Sequence, residues 1–226
     1  MDHVDRWDYT GPGLDDADVP DAPWPLIEDW TAQARQAGRE RPDLHEPTSM
    51  AVATVDASGR PDVRVVLMRF LDPRGPGFVS SRHSAKAGHI AANPVMAASL
   101  TWTPLFRAIR FRGVPSEIES ETLAAYWASR PWGSRISAWS SRQSQPVTSR
   151  AELEAAYAKR AAMWPDRGGP DDVPVPDDWV GYRLECDEVE VWAGREDRLH
   201  DRFRFTRTGP GDLSTEGVWH RDRLQP

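Results

Sequence analysis

Apolar residues follow two different spacings along this chain of 226 residues. Within 25–37 they recur three or four positions apart, as on one face of a helix. The residues of this stripe are Leu26, Ile27, Trp30, Ala34 and Ala37. Elsewhere, short segments rich in Val, Ile, Phe and Thr lie between turns with Gly, Pro or Asn, and they predict strands. The predicted strands are 49–56, 63–70, 77–81, 97–102, 106–113, 179–185, 189–194, 202–207 and one near 217–223.

Three features predict where helices begin and end. Gly38 follows the first apolar stripe and suits the end of that helix. A second helix is predicted over 120–130, with Ser120 as its N-cap and Pro131 after its end. A third is predicted over 149–164, where the first Ser and a Glu three positions later have the spacing of a capping box.

The order of these elements indicates the fold class. Many short strands without regular alternation with helices favour a mainly β (α+β) fold, an antiparallel barrel with peripheral helices. The Pro-, Asp- and Gly-rich stretch 165–178 is expected to be a loop within this domain, because strand patterns resume after it. Residues 1–23 lack periodicity and are predicted to be a flexible arm, which leaves 24–226 as a single domain.

Composition narrows the function classes. A net charge of −7 makes the chain a poor general binder of nucleic acid, whose phosphates require basic surfaces. The single cysteine, Cys186, cannot form an intramolecular disulfide or a cysteine-based zinc site, and no metal is expected. The apolar runs are too short to span a bilayer and the acidic N-terminus lacks the features of a signal peptide, so we expect a cytoplasmic protein without membrane contact.

Local clusters of basic residues are the candidates for an anion site. The segment "RVVLMR" places Arg64 and Arg69 at the ends of an apolar strand, where they either face solvent or direct guanidinium groups at a phosphate. In "SSRHSAKAGH", Ser84 is the expected N-cap of a short helix that carries Lys86. Such a helix start is either ordinary capping or an anion site.

Two further segments carry polar groups with binding potential. In "YWASRPWGS", Tyr126 and Arg130 lie one helical turn apart, and Ser134 follows in the loop. They form either a phosphate clamp or a surface stack of Tyr on Arg. The run "SSRQSQ", 140–145, is either an ordinary polar loop or a source of donors for a ring ligand.

The segment "RLHDR" near the C-terminus is the fifth candidate. If it continues as an extended strand, Arg198, His200 and Arg202 share one face, while Leu199 and Asp201 point away. Such a face requires an anion to offset its positive charge. Trp192, six residues earlier, is either a core residue or part of the wall beside a planar cofactor. Dinucleotide, P-loop and nucleophile-elbow motifs are absent.

These motifs together resemble the pyridoxine/pyridoxamine 5′-phosphate oxidase family of flavin enzymes. The resemblance rests on "RVVLMR", "SAKAGHIAANP", "SRPWGSRISAWSSRQS", "WVGYRLE", "VEVWAGREDRLHDRFRF" and the terminal "RLQP", in the family's order. It implies a split β-barrel that binds FMN (flavin mononucleotide), usually in a homodimer with FMN at the subunit interface. It also implies oxidation of pyridoxine or pyridoxamine 5′-phosphate to pyridoxal 5′-phosphate, with hydride passing from C4′ to the flavin and O2 yielding H2O2.

The resemblance also implies residue roles. The residues expected at FMN are Arg64, Val65, Leu67, Val79, Ser80, Lys86, Gln143, Ser144, Trp192 and Arg202. The residues expected at the substrate phosphate or pyridine ring are Arg69, Tyr126, Arg130, Ser134, Arg198, Leu199 and His200, with Arg198 and His200 nearest the reaction. In the arm, "RWDYTGPGL" resembles a mobile segment, so Arg6 and Tyr9 are expected to close over the site.

The chain departs from the family pattern at three positions. Arg69 and Ala85 stand where the family usually has Lys and Arg, and Ala108 stands where it has Gln. The alternatives are therefore a related flavin oxidase that acts on another aromatic metabolite, such as a phenazine precursor, or a protein that binds flavin, deazaflavin or pyridoxal phosphate with little turnover.

Overall fold

The structure, a computed structural model, describes residues 8–226, and nine strands within them form one antiparallel sheet. Their bounds are β1 Ser49–Val55, β2 Pro61–Leu67, β3 Phe70–Asp72, β4 Gly75–Ser81, β5 Met96–Trp102, β6 Arg107–Glu117, β7 Trp179–Ala193, β8 Asp201–Arg207 and β9 Trp219–Arg223. Every predicted strand segment overlaps one or more of these strands. The mainly antiparallel β architecture is therefore as the sequence predicts.

The long strand β7 organises the sheet. The strands follow the order β2-β1-β5-β6-β7-β4-β3, and β8 and β9 continue from β7. One edge of β7 pairs along its length with β6, while the other edge pairs first with β4 and then with β8. The two segments predicted as separate strands, 179–185 and 189–194, are thus halves of β7, with a register shift opposite Arg112 and Gly113.

The second strand differs from its prediction. The sequence predicts a buried strand over 63–70, but β2 ends at Leu67 and β3 follows separately. Val63 and Val65 are 65% and 68% exposed. The physical reason is the position of β2, which pairs only with β1 and forms an edge of the sheet.

Five helices lie around the sheet within the described residues, and none of these is long and apolar enough to cross a bilayer. Their bounds are α1 Trp24–Glu40, α2 Ala85–Ala92, α3 Ser120–Ser129, α4 Trp132–Ser140 and α5 Arg150–Met163. The predicted end of α1 at Gly38 is wrong, because the helix continues to Glu40. The predicted N-cap Ser120 is also wrong, because that position belongs to Glu119.

The sequence predicts a loop at Ser134, but this residue lies in the helix α4. Pro131 follows α3 as predicted, but it is also the N-cap of α4, with ψ of 142°. Proline is compatible with the start of a helix because its fixed φ suits the first turn and its missing N–H is not needed there. One proline therefore separates two helices, and Ser134 lies in α4 rather than in a loop.

The sheet and α1 enclose most of the core. Its largest fully buried side chains include Trp102, Phe78, Phe111, Phe203 and Phe205. A smaller apolar cluster of Trp127, Ile136 and Val173 joins α3 and α4 to the loop that precedes β7. This second cluster supports the two helices between which Arg130 lies.

Residues 8–23 lie against the main domain. Leu14, Val19 and Ala22 are buried and pack in the main core. The expected mobility of the arm and the division into an arm and one domain stay predictions. Arg6 lies outside the described residues.

Two glycines with positive φ allow a matched stability test. A Cβ on Gly75 (φ 125°) would lie 2.0 Å from the Leu184 carbonyl oxygen, whereas one on Gly59 (φ 84°) would meet nothing within 4 Å. We expect Gly75→Ala to lower the free energy of unfolding by about 3 kcal/mol or more, and Gly59→Ala by about 1 kcal/mol. Urea denaturation of both variants measures this. Equal losses would show that the backbone contact at Gly75 is unimportant.

Candidate active site

Lys86 is a buried cation without a carboxylate ion pair in residues 8–226. Its side chain, in the first turn of α2, is 7% exposed. Its Nζ donates to Gln143 Oε1 at 3.1 Å and to Ser80 Oγ at 3.3 Å. Burial, and then repulsion by Arg64, lowers the pKa of Lys86. A buried ammonium held by neutral groups is costly, and an anion bound beside it would offset that cost.

The start of α2 adds neutral donors and acceptors to this cluster. Ser84 is the N-cap, as predicted, and its side chain accepts from the Ala87 N–H. The Ala85 N–H donates to Ser144 Oγ at 3.2 Å. The polar loop that carries Gln143 and Ser144 is thereby tied to the positive end of the helix dipole, which favours anions.

Arg64 is positioned by residues that sequence analysis missed. Its Nη1 donates to Thr54 Oγ1 at 2.8 Å and to the Val52 carbonyl at 3.0 Å. Thr54 is completely buried and lies 3.0 Å from His89 Nδ1. A polar residue at a buried position of the alternating strand β1 was the available sign of this role. Asp62 pairs with the other side of the guanidinium at 2.5 Å.

The other strand residues expected at the cofactor have mixed positions. Val79 is half-buried and precedes the buried Ser80 on β4. Val65 and Leu67 alternate with Arg64 on β2, so their side chains lie on the opposite face from the guanidinium. Only their backbone can line a ligand that Arg64 contacts.

Arg130 forms a second cationic centre. Its Nη2 donates to the Ser134 carbonyl at 2.9 Å, while Nη1 is buried and has no hydrogen-bond partner. The guanidinium stacks 4.5 Å from the Trp179 ring centroid and 5.3 Å from that of Trp127. The predicted proximity of Arg130 and Ser134 is observed, although through the carbonyl rather than the hydroxyl.

The surroundings of Arg130 are positively charged. Burial first, and then repulsion by Arg69 and Arg135, lowers the pKa of Arg130. Within residues 8–226 no carboxylate forms an ion pair with Arg130 or Arg69. Tyr126 lies one turn before Arg130 and packs edge-on against Phe70 at 5.4 Å. A buried N–H without a hydrogen-bond partner beside further arginines is an arrangement that suits the binding of an oxyanion.

One cleft lies beside Arg130 and reaches the hydrogen-bond partners of Lys86. Its volume is about 260 Å³, and Ser80 and Gln143 line it together with Arg130, Asp178 and Trp179. Gln143 accepts from Lys86, and Arg130 carries the unpartnered Nη1. A ligand in this cleft can therefore be close to both centres.

Trp192 belongs to an aromatic cluster with Tyr9 and His200. Their ring centroids lie 4.8 Å (Trp192–His200), 5.1 Å (Tyr9–His200) and 5.7 Å (Tyr9–Trp192) apart. The Arg198 guanidinium lies over the Tyr9 ring at 4.7 Å. The Arg195 N–H donates to His200 Nδ1 at 3.1 Å, so the neutral ring carries its hydrogen on Nε2. Burial, and then Arg198, lowers the pKa of His200.

The prediction of one extended face through "RLHDR" is wrong. Glu196–Arg198 is a short 3-10 turn, and β8 begins only at Asp201. Asp197 and Arg198 have φ of 55° and 65°, so the backbone reverses where the alternation was assumed. Leu199 is 69% exposed, and Asp201 is buried.

Arg202 is held on β8 opposite Trp192. Its Nε and Nη2 both lie 2.9 Å from Glu190 Oε1, and its Nη1 donates to the Gln225 carbonyl. Glu190 is 5% exposed and was missed in the sequence, where a carboxylate within the apolar run "VEVW" was the sign. Ala108 of β6 faces Trp192 from the other side, so Ala108, Trp192 and Arg202 form one row across three strands.

Comparison with known proteins identifies the family. Residues 38–164 match the family model described as pyridoxamine 5′-phosphate oxidase. The chain belongs to this family. Residues 179–226 match the model of the pyridoxine 5′-phosphate oxidase C-terminal dimerisation region, which supports a homodimer.

Relatives and solved structures agree with this membership. The chain is 40% identical to a pyridoxine/pyridoxamine 5′-phosphate oxidase of Kineococcus radiotolerans and 38% identical to one of Streptomyces avermitilis, over 98% of this chain and 97% and 94% of theirs. PhzG from Burkholderia lata, solved with tetrahydrophenazine-1-carboxylic acid, matches with a TM-score of 0.82 and 29% identity, over 96% of this chain and 100% of that one. An FMN-binding protein of Nostoc punctiforme matches with a TM-score of 0.69 and 19% identity, over 92% and 100%. The predicted split barrel is confirmed.

The pKa of His200 tests the described position of this ring beside Arg198. NMR titration should place it below the ordinary value near 6.5, so the ring is neutral at pH 7 and gains its proton only as the pH falls further. Arg198→Ala should raise this pKa, because it removes the nearby positive charge. A titration at or above the ordinary value, unchanged in the variant, would contradict the described contact.

Proposed function

We propose that this protein is an FMN-dependent oxidase that converts pyridoxine or pyridoxamine 5′-phosphate to pyridoxal 5′-phosphate, with O2 as acceptor and H2O2 as product. The observation that carries the proposal is a pair of cationic centres, with Arg130 in the wall of a cleft and Lys86 hydrogen-bonded to Gln143 and Ser80 of the same wall. Lys86 and Arg130 are each buried or half-buried without a carboxylate ion pair among the described residues. Two such centres fit two phosphates, one from the cofactor and one from the substrate.

The residues around Lys86 fit the phosphate end of FMN. Lys86 and Arg64 supply positive charge, and the helix start at Ser84 and the loop residue Ser144 supply neutral partners. The Lys86 ammonium donates to Gln143 and Ser80. When a phosphate accepts from Lys86 instead, Gln143 and Ser80 would be available to form hydrogen bonds with the ligand. When bound, FMN would supply the acceptor for the two electrons and pass them to O2.

Arg130 would hold the phosphate of the substrate. Its unpartnered Nη1 provides a donor that is already desolvated, and its stacking on Trp179 restricts the guanidinium. Arg69, Tyr126 and Ser134 lie around it and add charge and hydroxyl groups. This grip would orient the substrate ring in the cleft, which lowers the entropic cost of the reaction.

The remaining predicted residues require a second copy of the chain. Val79 pairs with Gly181 near the start of β7, while Trp192 lies eleven positions further along the same strand. At about 3.3 Å per residue this is roughly 35 Å along β7. A mononucleotide cannot contact both ends in one chain. In the proposed homodimer, Trp192 and Arg202 of one copy complete the flavin site whose phosphate the other copy binds.

The aromatic cluster would then cover the substrate ring. His200 presents a neutral ring with its hydrogen on Nε2, which can donate to a polar group of the substrate. Arg198 and Leu199 lie on the exposed turn beside it, and Tyr9 packs over His200 from the arm. Arg6 is proposed to join this cover. These residues would bind the substrate and orient its ring, and none of them is proposed as a general base.

A second candidate is oxidation of a phenazine-type aromatic. The similarity to PhzG over the whole of that chain favours it, and its ligand carries a carboxylate that an arginine can bind. A planar carboxylate would use fewer donors than a phosphate at Arg130, Arg69 and Tyr126. The phosphate substrate therefore accounts for more of the site. The substitutions Ala85 and Ala108 are the features that favour a binder with little turnover, since each removes a donor to the cofactor.

Absorbance and turnover of the purified protein test these candidates. We expect a flavin band, and formation of pyridoxal 5′-phosphate and H2O2 after addition of pyridoxamine 5′-phosphate in air. Flavin binding with turnover of a dihydrophenazine carboxylate alone would support the second candidate. Flavin without turnover of either substrate would support a binding protein. A protein that takes up no added FMN would overturn both oxidase proposals.

The variants Lys86→Met and Arg130→Met separate the two anion centres. We expect Lys86→Met to weaken FMN binding about 100-fold, because a hydrogen bond to a charged group contributes roughly 1.5–3 kcal/mol. Arg130→Met should keep FMN affinity within about threefold and raise KM for the phosphate substrate by about 100-fold or more. Flavin fluorescence titration and steady-state kinetics measure these effects. Loss of FMN in Arg130→Met would contradict the assignment.

Lys86→Met has a second consequence for the free protein. Because burial lowers the pKa of Lys86, the unfolded chain binds more protons than the folded one between that lowered value and 10.5. The cost of the buried ammonium is thus fully present below this window and is relieved as the pH rises through it. We expect the apoprotein of Lys86→Met to be at least as stable as the parent at pH 7 in urea denaturation. A marked loss of stability would mean that Lys86 is structural.

A further inference from the structure

Asp201 is a buried carboxylate that no step of the proposed reaction uses. It is 5% exposed and lies between His200 and Arg202 at the start of β8. Its Oδ1 accepts from Arg223 Nη1 at 2.7 Å, and its Oδ2 accepts from the Leu14 N–H at 2.8 Å and from Arg195 Nε. Burial alone would raise the pKa of Asp201, but these three donors outweigh it and lower the pKa. The group is therefore a fully partnered anion.

One of those donors belongs to the N-terminal arm. Leu14 is itself buried, and Asp15 and Asp16 follow it with ion pairs to the same two arginines, Arg195 at 2.5 Å and Arg223 at 2.7 Å. These outer pairs are exposed and contribute little by themselves. The buried Asp201 is thus the central acceptor of the contact between the arm and the strands β8 and β9.

The same contact is connected to the proposed substrate cover. Arg195 donates its side chain to Asp201 and its backbone N–H to His200 Nδ1. Five residues before Leu14, Tyr9 packs on His200 and Trp192 and lies under Arg198. An arm released from Asp201 would take Tyr9 with it and would free Arg195, which orients the His200 ring.

We propose that Asp201 is a positioning residue, which anchors arm residues 8–16 so that Tyr9, His200 and Arg198 together cover the substrate. This rests on the proposed function for its consequence in catalysis, but not for the anchoring itself. Asp201 acts through the arm and Arg195 and touches no reacting atom. The expected effect of its loss is weaker substrate binding rather than slower chemistry.

Asp201→Asn tests the proposal. The amide keeps the size of the carboxylate but loses its charge, and it presents an NH2 group to two arginines and an N–H. We expect amide hydrogen exchange of residues 8–16 to become at least about tenfold faster, since a hydrogen bond to a charged group typically contributes that much. We also expect KM for pyridoxamine 5′-phosphate to rise about tenfold, with kcat and FMN affinity changed by less than about threefold.

The matched control is Asp222→Asn. Asp222 on β9 accepts from Arg204 at 2.9 Å and lies 3.1 Å from His220 Nε2, and it forms no hydrogen bond or ion pair with arm residues 8–16. The substitution Asp222→Asn removes a carboxylate–arginine pair from β9, the strand next to β8. Arm exchange and KM should stay within about twofold of the parent, because exposed pairs of this kind contribute little.

Gly13→Ala provides a second variant that leaves the buried charge intact. Gly13 has a φ of 73°, and a Cβ there would lie 2.3 Å from the Arg195 Cζ atom. The substitution should displace the arm from Arg195 and raise arm exchange and KM in the same direction as Asp201→Asn. If Asp201→Asn fails to fold, Gly13→Ala with the same two measurements decides the proposal.

The outcomes distinguish a failure of the proposed role of Asp201 from a failure of the proposed oxidase activity. Unchanged arm exchange in a folded Asp201→Asn, or faster exchange with unchanged KM, overturns the positioning role while the oxidase activity of the parent stands. A parent protein without oxidase activity overturns the proposed function, and the role in catalysis fails with it. Faster arm exchange would then still show that Asp201 anchors the arm.

Discussion

Uncompensated positive charge inside the protein is the constraint on which the site depends. Lys86 and Arg130 are held by neutral oxygens and aromatic rings, and no carboxylate of residues 8–226 forms an ion pair with either. Each position lowers the pKa of its group because burial disfavours the charged form. Such an arrangement costs stability in the free protein, and bound anions offset that cost. Other arginines of the fold are paired with acids, as Arg202 with Glu190 and Arg183 with Asp72. The buried Arg135 resembles Arg130 instead, because its hydrogen bonds go to the carbonyls of Gly169 and Pro170.

The change of pairing partner along one edge of β7, from β4 to β8, separates the candidate site residues into two groups. The first half of β7 pairs with β4, which carries Ser80 beside Lys86, and its second half pairs with β8, which carries Arg202. The two groups of candidate residues belong to opposite ends of one strand, and in the proposed homodimer they would border different sites. Membership of the C-terminal part in a dimerisation-region family agrees with a second copy that brings the two ends together.

Sequence patterns predicted the positions of the strands and supplied candidate site residues, but not the partners of those residues. Short runs of strand-forming residues located the sheet segments, although 63–70 covers parts of both β2 and β3, and Ser84 was recognisable as an N-cap from local chemistry. The exposure of Val63 and Val65 was not predictable, since edge and central strands differ in tertiary position rather than in composition. The turn at Arg198 interrupts the alternation, and it was not predictable because residue type does not indicate that Asp197 and Arg198 adopt positive φ. Thr54, Glu190 and Asp201 were missed because a polar residue within an apolar strand identifies its partner only in three dimensions.

The length of β7 has a consequence for the assembled protein. In the proposed homodimer, the strand of each copy borders one site with its first half and the opposite site with its second half. A chain inactivated at Lys86 and a chain inactivated at Trp192 would each spoil both sites of their own homodimer. Mixed in one dimer, both defects fall into the same site, and the other site is assembled wholly from intact residues. Subunit exchange between the two inactive proteins would thus restore one of the two active sites in each mixed dimer.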